Sequence, residues 1–470
     1  APVLTAYEDG KFIYTEERVR DVRFQIIAAE DIYRADRQTD AEGNLITLYK
    51  KGDIVETLVT DPLGEASSME LPLGKYKVKE IYVPGGIYLD QEEIEVELKY
   101  EDDRTEIVFS PADFYDQRQE IEIGAFKYDT KTNKAIPGVE ITIYANRDIL
   151  DYYGNVLVKK GDAIRSIVTD NDGKADFGKD LPLNAYAAEG DDPDVEEPMY
   201  YMKETKFPVG YLPEDNTYFI YSSTPDMTVQ FVKENVNVSN VHVDGIIKVT
   251  KTAPVLTGYD ENGRFVYTDE RIHDVKFQII AAEDIYRADC DLTEDGELIP
   301  IYKKDEVIQV LTTDKDGYAE TAKLPLGKYR VKEIYVPGGI YLDQEEINVE
   351  LKYADDDTEI VYENADFYDR RQQIEVSVYK YDKLTDKAIG GVEVSLYANR
   401  DILDYYGNLL VQKGTLIRKG ITDNAGRYVF STDIPLNAYA REQEKTDSED
   451  KDEEEPMYYL IESKFPDGYI

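Results

Sequence analysis

The sequence is poor in the residues on which most site chemistry depends: one cysteine, two histidines and no tryptophan among 470 residues. A lone Cys290 makes no internal disulfide, so an exported chain of this kind would lack the staple that small secreted domains usually carry. With only His242 and His273, cysteine–histidine zinc sites and most histidine-based nucleophile sets are excluded by counting. No apolar run approaches the ~18–20 residues that a bilayer span requires, so no membrane insertion is expected. Basic residues are heavily outnumbered, 54 Lys and Arg against 98 Asp and Glu, for a formal net charge of -44. That balance argues against nucleic acid as a partner, because a phosphate backbone needs Lys and Arg to displace its counterions. It also disfavours an anionic membrane surface. No Ser-His-Asp set, phosphate-cradling glycine loop or metal-ligand cluster is visible, so the chain reads as no enzyme on an external substrate and as needing no cofactor. Asp-rich turns such as Asp170–Gly173 lack a full EF-hand loop and read as ordinary turns rather than calcium sites.

What the sequence has is repetition. QIIAAEDIYRAD at Gln25–Asp36 returns at Gln278–Asp289, VKEIYVPGGIYLDQEEI at Val78–Ile94 returns at Val331–Ile347, and YANRDILDYYGN at Tyr144–Asn155 returns at Tyr397–Asn408. All three pairs are offset by 253 residues, so the chain is two copies of a long unit. Each copy contains two related modules in the order A-B-A-B, with approximate bounds 1–119, 120–243, 244–372 and 373–470. A T-D-x-x-G turn recurs at Thr60–Gly64, Thr169–Gly173, Thr313–Gly317 and Thr422–Gly426. Short period-2 strands rich in Val, Ile, Tyr and Phe, separated by polar turns, predict all-β, tandem antiparallel two-sheet sandwiches. The stretches after AAEDIY and ANRDIL are the expected places for a short helical turn or a long loop.

The same alternation puts three kinds of polar residue among core positions. Ile121, Ile123 and Ala125 lead in phase to Lys127, Ile247 and Val249 to Lys251, and Ile374, Val376 and Val378 to Lys380. A glutamate follows a tyrosine-led apolar row four times, at Glu80, Glu204, Glu333 and Glu462. An amide or carboxylate ends a third row: Asp116, Asn240 and Asp369, each eleven residues before the next lysine. Unpaired buried charges cost several kcal/mol, so such groups pair, neutralise or react. Desolvation favours a neutral, nucleophilic lysine, and a glutamic acid beside it could polarise the acceptor carbonyl and shuttle protons. Lysine and Asn could then condense with loss of ammonia, or lysine and Asp with loss of water, once per site and without turnover. The alternative is a buried Lys–Glu ion pair or a lysine snorkelling at a sandwich end.

These residues carry a resemblance that spans the chain. GIIKVTK (245–251), DVKFQIIAAEDIY (274–286), TDKDGYA (313–319), LPLGKYRVKEIYVPGGIY (324–341) and YDRRQ (368–372), with KYDTKTNKAIPGVEITIYA (127–145) and KETKFPVGY (203–211), make it similar to tandem SpaA-type, prealbumin-like domains. These are related to the collagen-adhesin B-type (Cna B-type) repeats of Gram-positive surface proteins and pilins. The resemblance implies an immunoglobulin-like sandwich whose first and last strands are joined by an isopeptide bond with a catalytic acid. By position, module 2 would use Lys127, Asn240 and Glu204, and module 3 Lys251, Asp369 and Glu333. Asp369 and Asp116 depart from the commoner Asn acceptor. Asn364 is the rival in module 3, but its counterpart in module 1 is Pro111, which favours Asp369. Module 1 would lack its first strand and module 4 its last, so the end modules are expected to be unbonded here and the natural protein to continue both ways.

The expected function is a structural stalk on the cell surface, stabilised by these bonds. Its first partners are neighbouring repeats of the same chain, and the short linkers at Gln117–Glu120 and Arg370–Gln373 predict a stiff rod. The second reading is an adhesin that recognises a host glycan or matrix protein through loops: the DYYG segments Asp151–Gly154 and Asp404–Gly407, or the acidic stretch 442–455.

Overall fold

The computed structural model describes residues 1–470 apart from 34–35, 37, 91–92, 190–196, 215, 344–345, 442–454, 465 and 469–470. Nearly all of the acidic stretch 442–455 therefore lies outside the described residues. The chain separates into two compact units, Ala1–His242 and Val243–Ile470, at the seam between the two long copies.

Each unit is built from small twisted sheets. In residues 120–242, one sheet orders Lys174–Asp176, Glu120–Asp129, Phe231–His242 and Tyr211–Leu212; the other orders Ala163–Val168, Glu140–Ala145, Tyr200–Lys206 and Tyr218–Ile220. Residues 244–368 repeat the plan, with Asp244–Tyr259 central to one sheet and Lys276–Ala281 beside Gly327–Tyr335 in the other. Strict alternation fixes the inward faces. Along Glu120–Asp129, Ile121, Ile123, Ala125, Lys127 and Asp129 are all buried, and the residues between them are not. One pairing departs from the antiparallel expectation: the first and last strands run parallel, Glu120–Asp129 with Phe231–His242 and Asp244–Tyr259 with Ile360–Tyr368. The intervening strands carry the chain back across the sandwich, so it enters at one end of the module and leaves at the other along neighbouring strands.

The four T-D-x-x-G turns do more than reverse the chain. Thr313 Oγ1 accepts from Val275 N at 3.0 Å and donates to Ile272 O at 2.8 Å, and Thr60, Thr169 and Thr422 tie the equivalent backbone groups. All four threonines are buried. Asp314 Oδ1 accepts the backbone N–H groups of Asp316 and Tyr318, which commits the carboxylate to the turn. Thr313→Val keeps the shape but strands two buried backbone groups. It is expected to cost about 1–3 kcal/mol in a denaturant titration, whereas exposed Thr268→Val stays within about 0.5 kcal/mol.

The segments after both ANRDIL copies and after the first AAEDIY form small hairpins rather than helical turns, and the segment after the second AAEDIY is a long loop with isolated bridges Ile285–Tyr302 and Leu292–Leu298. Ile149–Leu150 pairs with Val156–Val158, Ile402–Leu403 with Leu409–Val411, and Ile32–Tyr33 with Thr47–Tyr49. Local side-chain bonding explains this: Asp151 Oδ1 takes the N–H groups of Tyr153 and Asn155, closing a turn where a helix would need those donors elsewhere. Single 3-10 turns occur instead at Asn184–Tyr186 and Asn437–Tyr439.

Within each unit a hairpin of the A module lies against the B module. In the second unit, Asp244–Tyr259 runs past its own sheet and pairs with Phe265–Arg271. Arg418 Nη2 then donates to Gly263 O at 2.7 Å, Asp433 Oδ2 accepts from Phe265 N at 3.0 Å, and Arg418 and Asp433 pair at 2.8 Å. Tyr405 N donates to Leu256 O at 2.8 Å, and the Tyr405 hydroxyl accepts from His273 N at 3.2 Å. The first unit repeats the joint through Arg165, Asp180, Gly10, Phe12, Leu4 and Tyr152. Leu256 and Phe265 are buried in one apolar cluster with Val392, Val394, Leu396, Phe430 and Tyr439. The first tyrosine of each DYYG segment thus belongs to this joint, and the second, Tyr153 or Tyr406, is 62% or 61% exposed.

Candidate functional site

The lysine, glutamate and acceptor rows converge at one end of the sandwich in modules 2 and 3. In module 3, Lys251 and Asp369 come from the parallel first and last strands, with Lys251 beside Phe367 in register. Glu333 reaches them from the opposite sheet. Lys251 Nζ lies 2.8 Å from Glu333 Oε1 and 2.7 Å from Asp369 Oδ1, and all three side chains are at most 1% exposed. Phe367 packs against Phe277 with ring centres 4.7 Å apart, and its own ring centre is 5.8 Å from Lys251 Nζ, so apolar rings border the site. Neither Lys251 Nζ nor the carboxylate oxygens of Glu333 and Asp369 are aligned for a hydrogen bond, despite the short distances. One amine faces two carboxyl groups there, so the site is not neutral when all three are ionised. Burial pushes the Glu333 carboxyl up to about 7, against an unperturbed 4.5 and against the pull of Lys251, so an acid proton is available near neutral pH.

Module 2 has the same arrangement with an amide acceptor. Lys127 Nζ donates to Glu204 Oε2 at 2.9 Å, and Asn240 Nδ2 donates to Leu212 O at 3.0 Å. Lys127 and Asn240 are fully buried. Burial lowers the Lys127 pKa and raises that of Glu204, each moving towards its neutral form even though the pair's mutual attraction opposes both shifts. Glu204 Oε1 and Asn240 Oδ1 have no hydrogen-bond partner, so a proton on Glu204 would find the amide oxygen unsatisfied. An amine and an acid each pushed towards its neutral form, beside an unsatisfied carbonyl oxygen in a dry site, are the elements of amide formation.

In module 1, Glu80 is 1% exposed, and carboxylate oxygens of Glu80, Asp90 and Asp116 lie within 4.8 Å of one another. In module 4, Lys380 Nζ donates to Glu462 Oε2 at 2.7 Å, but the two side chains are 32% and 26% exposed. The strand just before Lys380 is short, Ser377–Tyr379, and pairs with Arg427–Val429. Asn364 is exposed and lies opposite Lys248, on the other face from Lys251, which removes it as the module 3 acceptor.

Two features of the site have no period-2 signal. Every glutamate sits beside a β-bulge: the register skips a residue between Glu333 and Tyr335, and likewise after Glu80, Glu204 and Glu462. The bulge lies just past the glutamate, which two-residue phase has already turned inward, and breaks the register of the strand there. In module 2, His242 Nδ1 lies 2.5 Å from Asp129 Oδ2, two residues beyond Asn240 and Lys127 on their respective strands. Burial alone would raise the Asp129 carboxyl, but His242 and the backbone N–H groups of Lys131 and Thr132 hold it below the usual range. This pair ties the strand ends next to the site.

Among curated proteins, none matches the sequence significantly. Three of the similar solved structures are the TIE protein of Bacillus anthracis (17% identity, TM-score 0.41, covering 92% of this chain and 66% of that one), BcpA, the major pilin subunit of Bacillus cereus (15%, 0.26, 67% and 85%), and the shaft pilin SpaA of Lactobacillus rhamnosus GG (15%, 0.19, 55% and 98%). The chain thus spans just under two thirds of the Bacillus anthracis protein. A family model for the SpaA prealbumin-like fold domain matches residues 13–112, 122–236 and 266–366, more than half of the sequence, and the chain belongs to that family.

Proposed function

We propose that this chain is a shaft segment of a pilus-like or adhesive protein on the surface of a Gram-positive bacterium, held by self-formed Lys127–Asn240 and Lys251–Asp369 isopeptide bonds. The observation that carries the reading is Lys251, fully buried between Glu333 and Asp369 across the parallel first and last strands. An amide there removes two buried charges and links the strands by which a pulling force enters and leaves the module. It constrains the unfolded chain as a disulfide would and is immune to reduction, which suits a protein whose single cysteine makes no internal staple. The protein is then no enzyme in the turnover sense: each site reacts once and is consumed. Its partners are neighbouring repeats and subunits of the same surface assembly.

The test is the intact mass of the denatured chain followed by peptide mapping. A deficit of one ammonia and one water, with peptides joining Lys127 to Asn240 and Lys251 to Asp369, is expected. An unmodified mass would reduce both trios to buried ion pairs and overturn the proposal.

A further inference from the structure

Three modules place one more carboxylate at the site, ten residues after the glutamate: Asp90 after Glu80, Glu214 after Glu204 and Asp343 after Glu333. The path that brings them there is the same each time. Beyond the glutamate strand the chain turns, and a two-residue strand pairs antiparallel with the residues just after the acceptor. Ile340–Tyr341 pairs with Arg370–Arg371, Ile87–Tyr88 with Gln117–Arg118, and Tyr211–Leu212 with Val241 and His242. Two residues later the extra acid follows. A carboxylate oxygen of Asp343 lies within 4.8 Å of oxygens of both Glu333 and Asp369, and Asp90 stands equally close to Glu80 and Asp116. Glu214 acts electrostatically on both Lys127 and Glu204. Glu333 and Asp369 are buried, whereas Asp343 is exposed.

We infer that Asp343, and Glu214 in module 2, are positioning residues for amide formation: a carboxylate at the solvent end of the site holds the buried glutamate protonated until lysine and acceptor have reacted. The inference rests on the isopeptide reading. In module 3 the ammonium proton of Lys251 first passes to Asp369, leaving both neutral. Lys251 Nζ then attacks Asp369 Cγ, the new C–N bond forms and a C–O bond breaks. Glu333 gives its proton to the departing hydroxyl and takes one from the amine nitrogen, and water leaves. In module 2 the bond to Asn240 Nδ2 breaks and ammonia leaves. Both steps balance without a co-reactant, and both need the glutamate to begin as an acid. Among the described residues, the charged groups shown around Glu333 are Lys251 on the first strand, Asp369 after the last and Asp343 beyond the turn; from Lys276–Ala281 its neighbour in register is uncharged Phe277. A negative charge nearby favours the protonated carboxyl, and one facing water can do so while keeping its own solvation.

The experiment uses the whole chain, synthesised cell-free, trapped in guanidinium before folding and then refolded by dilution between pH 5 and pH 9. The Lys251–Asp369 crosslinked peptide is counted against time by mass spectrometry. Asp343→Asn is expected to move the fall-off in rate towards acid by about one pH unit, making the reaction about tenfold slower at the alkaline end and unchanged at the acid end. Asp343→Glu restores the profile, and Glu214→Gln gives the matching shift in ammonia loss at Lys127–Asn240. The module 2 bond within the same Asp343→Asn molecules reports that the chain still folds. An unshifted profile, or a uniform loss at every pH, overturns the inference and leaves the isopeptide reading standing. A parent chain that never forms either crosslink overturns that reading, and this one with it.

Discussion

Glu333→Gln in the whole chain is expected to yield a protein one water heavier than the parent sequence's product would predict after allowance for the substitution, with module 3 melting on the order of 10–20 °C lower. The mass change follows from chemistry: a glutamine amide has no acid proton to give the departing hydroxyl, so Lys251 and Asp369 remain unlinked. The stability change follows from topology. Lys251 and Asp369 are 118 residues apart, and closing a loop of that order removes about 4–5 kcal/mol of unfolded-state entropy in the chain-entropy model. The unreacted site also keeps buried the amine and carboxyl groups that the amide would have replaced. Glu204→Gln is the mirror experiment: the water loss survives, the ammonia loss disappears, and module 2 is the one that melts early. Intact mass and scanning calorimetry on the two variants read both effects. A normal mass with a lowered melting temperature would mean that Glu333 is a packing residue and no proton carrier.

Most of this site was legible from side-chain phase alone. Ile247 and Val249 are both fully buried, and Lys251 follows them at 0% exposure, as two-residue periodicity demands. The same phase separates Asp369 from Asn364: the two are five residues apart, an odd number, so they face opposite sides of the strand. What phase could not carry was relation between strands. Parallel pairing of the first and last strands depends on where the intervening strands take the chain, and neither strand records its neighbour's direction. The bulges after the glutamates are one-residue insertions relative to a partner strand, so no single strand displays them. Asp343 escaped for a related reason. It lies past a Pro-Gly-Gly turn, out of phase with any row, and reaches Glu333 through the pairing of Ile340–Tyr341 with the segment after Asp369.

The joint between A and B modules was hidden more deeply, because its residues look ordinary one by one. Tyrosines in DYYG resemble exposed loop residues, and their conspicuous chemistry suggested a ligand surface. Tyr152 and Tyr405 use backbone N–H and hydroxyl to hold the preceding hairpin, while Tyr153 and Tyr406 stay exposed. The signal that could have exposed the joint is the 253-residue repeat itself: Arg165 and Asp180 recur as Arg418 and Asp433, and Gly10 and Phe12 as Gly263 and Phe265. Co-recurrence of both halves of a contact fits a contact, but a near-identical repeat preserves everything else too, so it could not single these residues out.

That joint gives the second large effect. Phe265→Ala changes a residue of module 3, yet it is expected to loosen module 4. Phe265 is 4% exposed and Leu256 0%, and the cluster they enter is made of Val392, Val394, Leu396, Phe430, Ile434 and Tyr439, all of module 4. Removing a buried phenylalanine costs about 3–5 kcal/mol, and the cavity opens where those residues pack. The expected result is faster amide hydrogen exchange along Glu393–Ala398 and Tyr458–Lys464, with little change along Lys276–Ala281 and Gly327–Tyr335. Arg418→Ala is expected to have the same distribution with a smaller size, because Arg418 and Asp433 are only partly buried and their contribution is electrostatic. Asp433 adds a pH signature. Burial alone would raise its carboxyl, but Arg418 and the N–H of Phe265 hold it well below the usual carboxylate range. A depressed folded-state pKa stabilises the joint above the unfolded value and loses that stabilisation as pH falls below about 4. Protection of Glu393–Ala398 should therefore decline in acid in the parent chain and be flat there in Asp433→Asn. If exchange in Phe265→Ala rose in module 3 alone, the hairpin would be an ornament of its own domain. If it rises in module 4, the B module's core is completed by the A module that precedes it, and the pair is the smallest piece of this chain that folds to full stability.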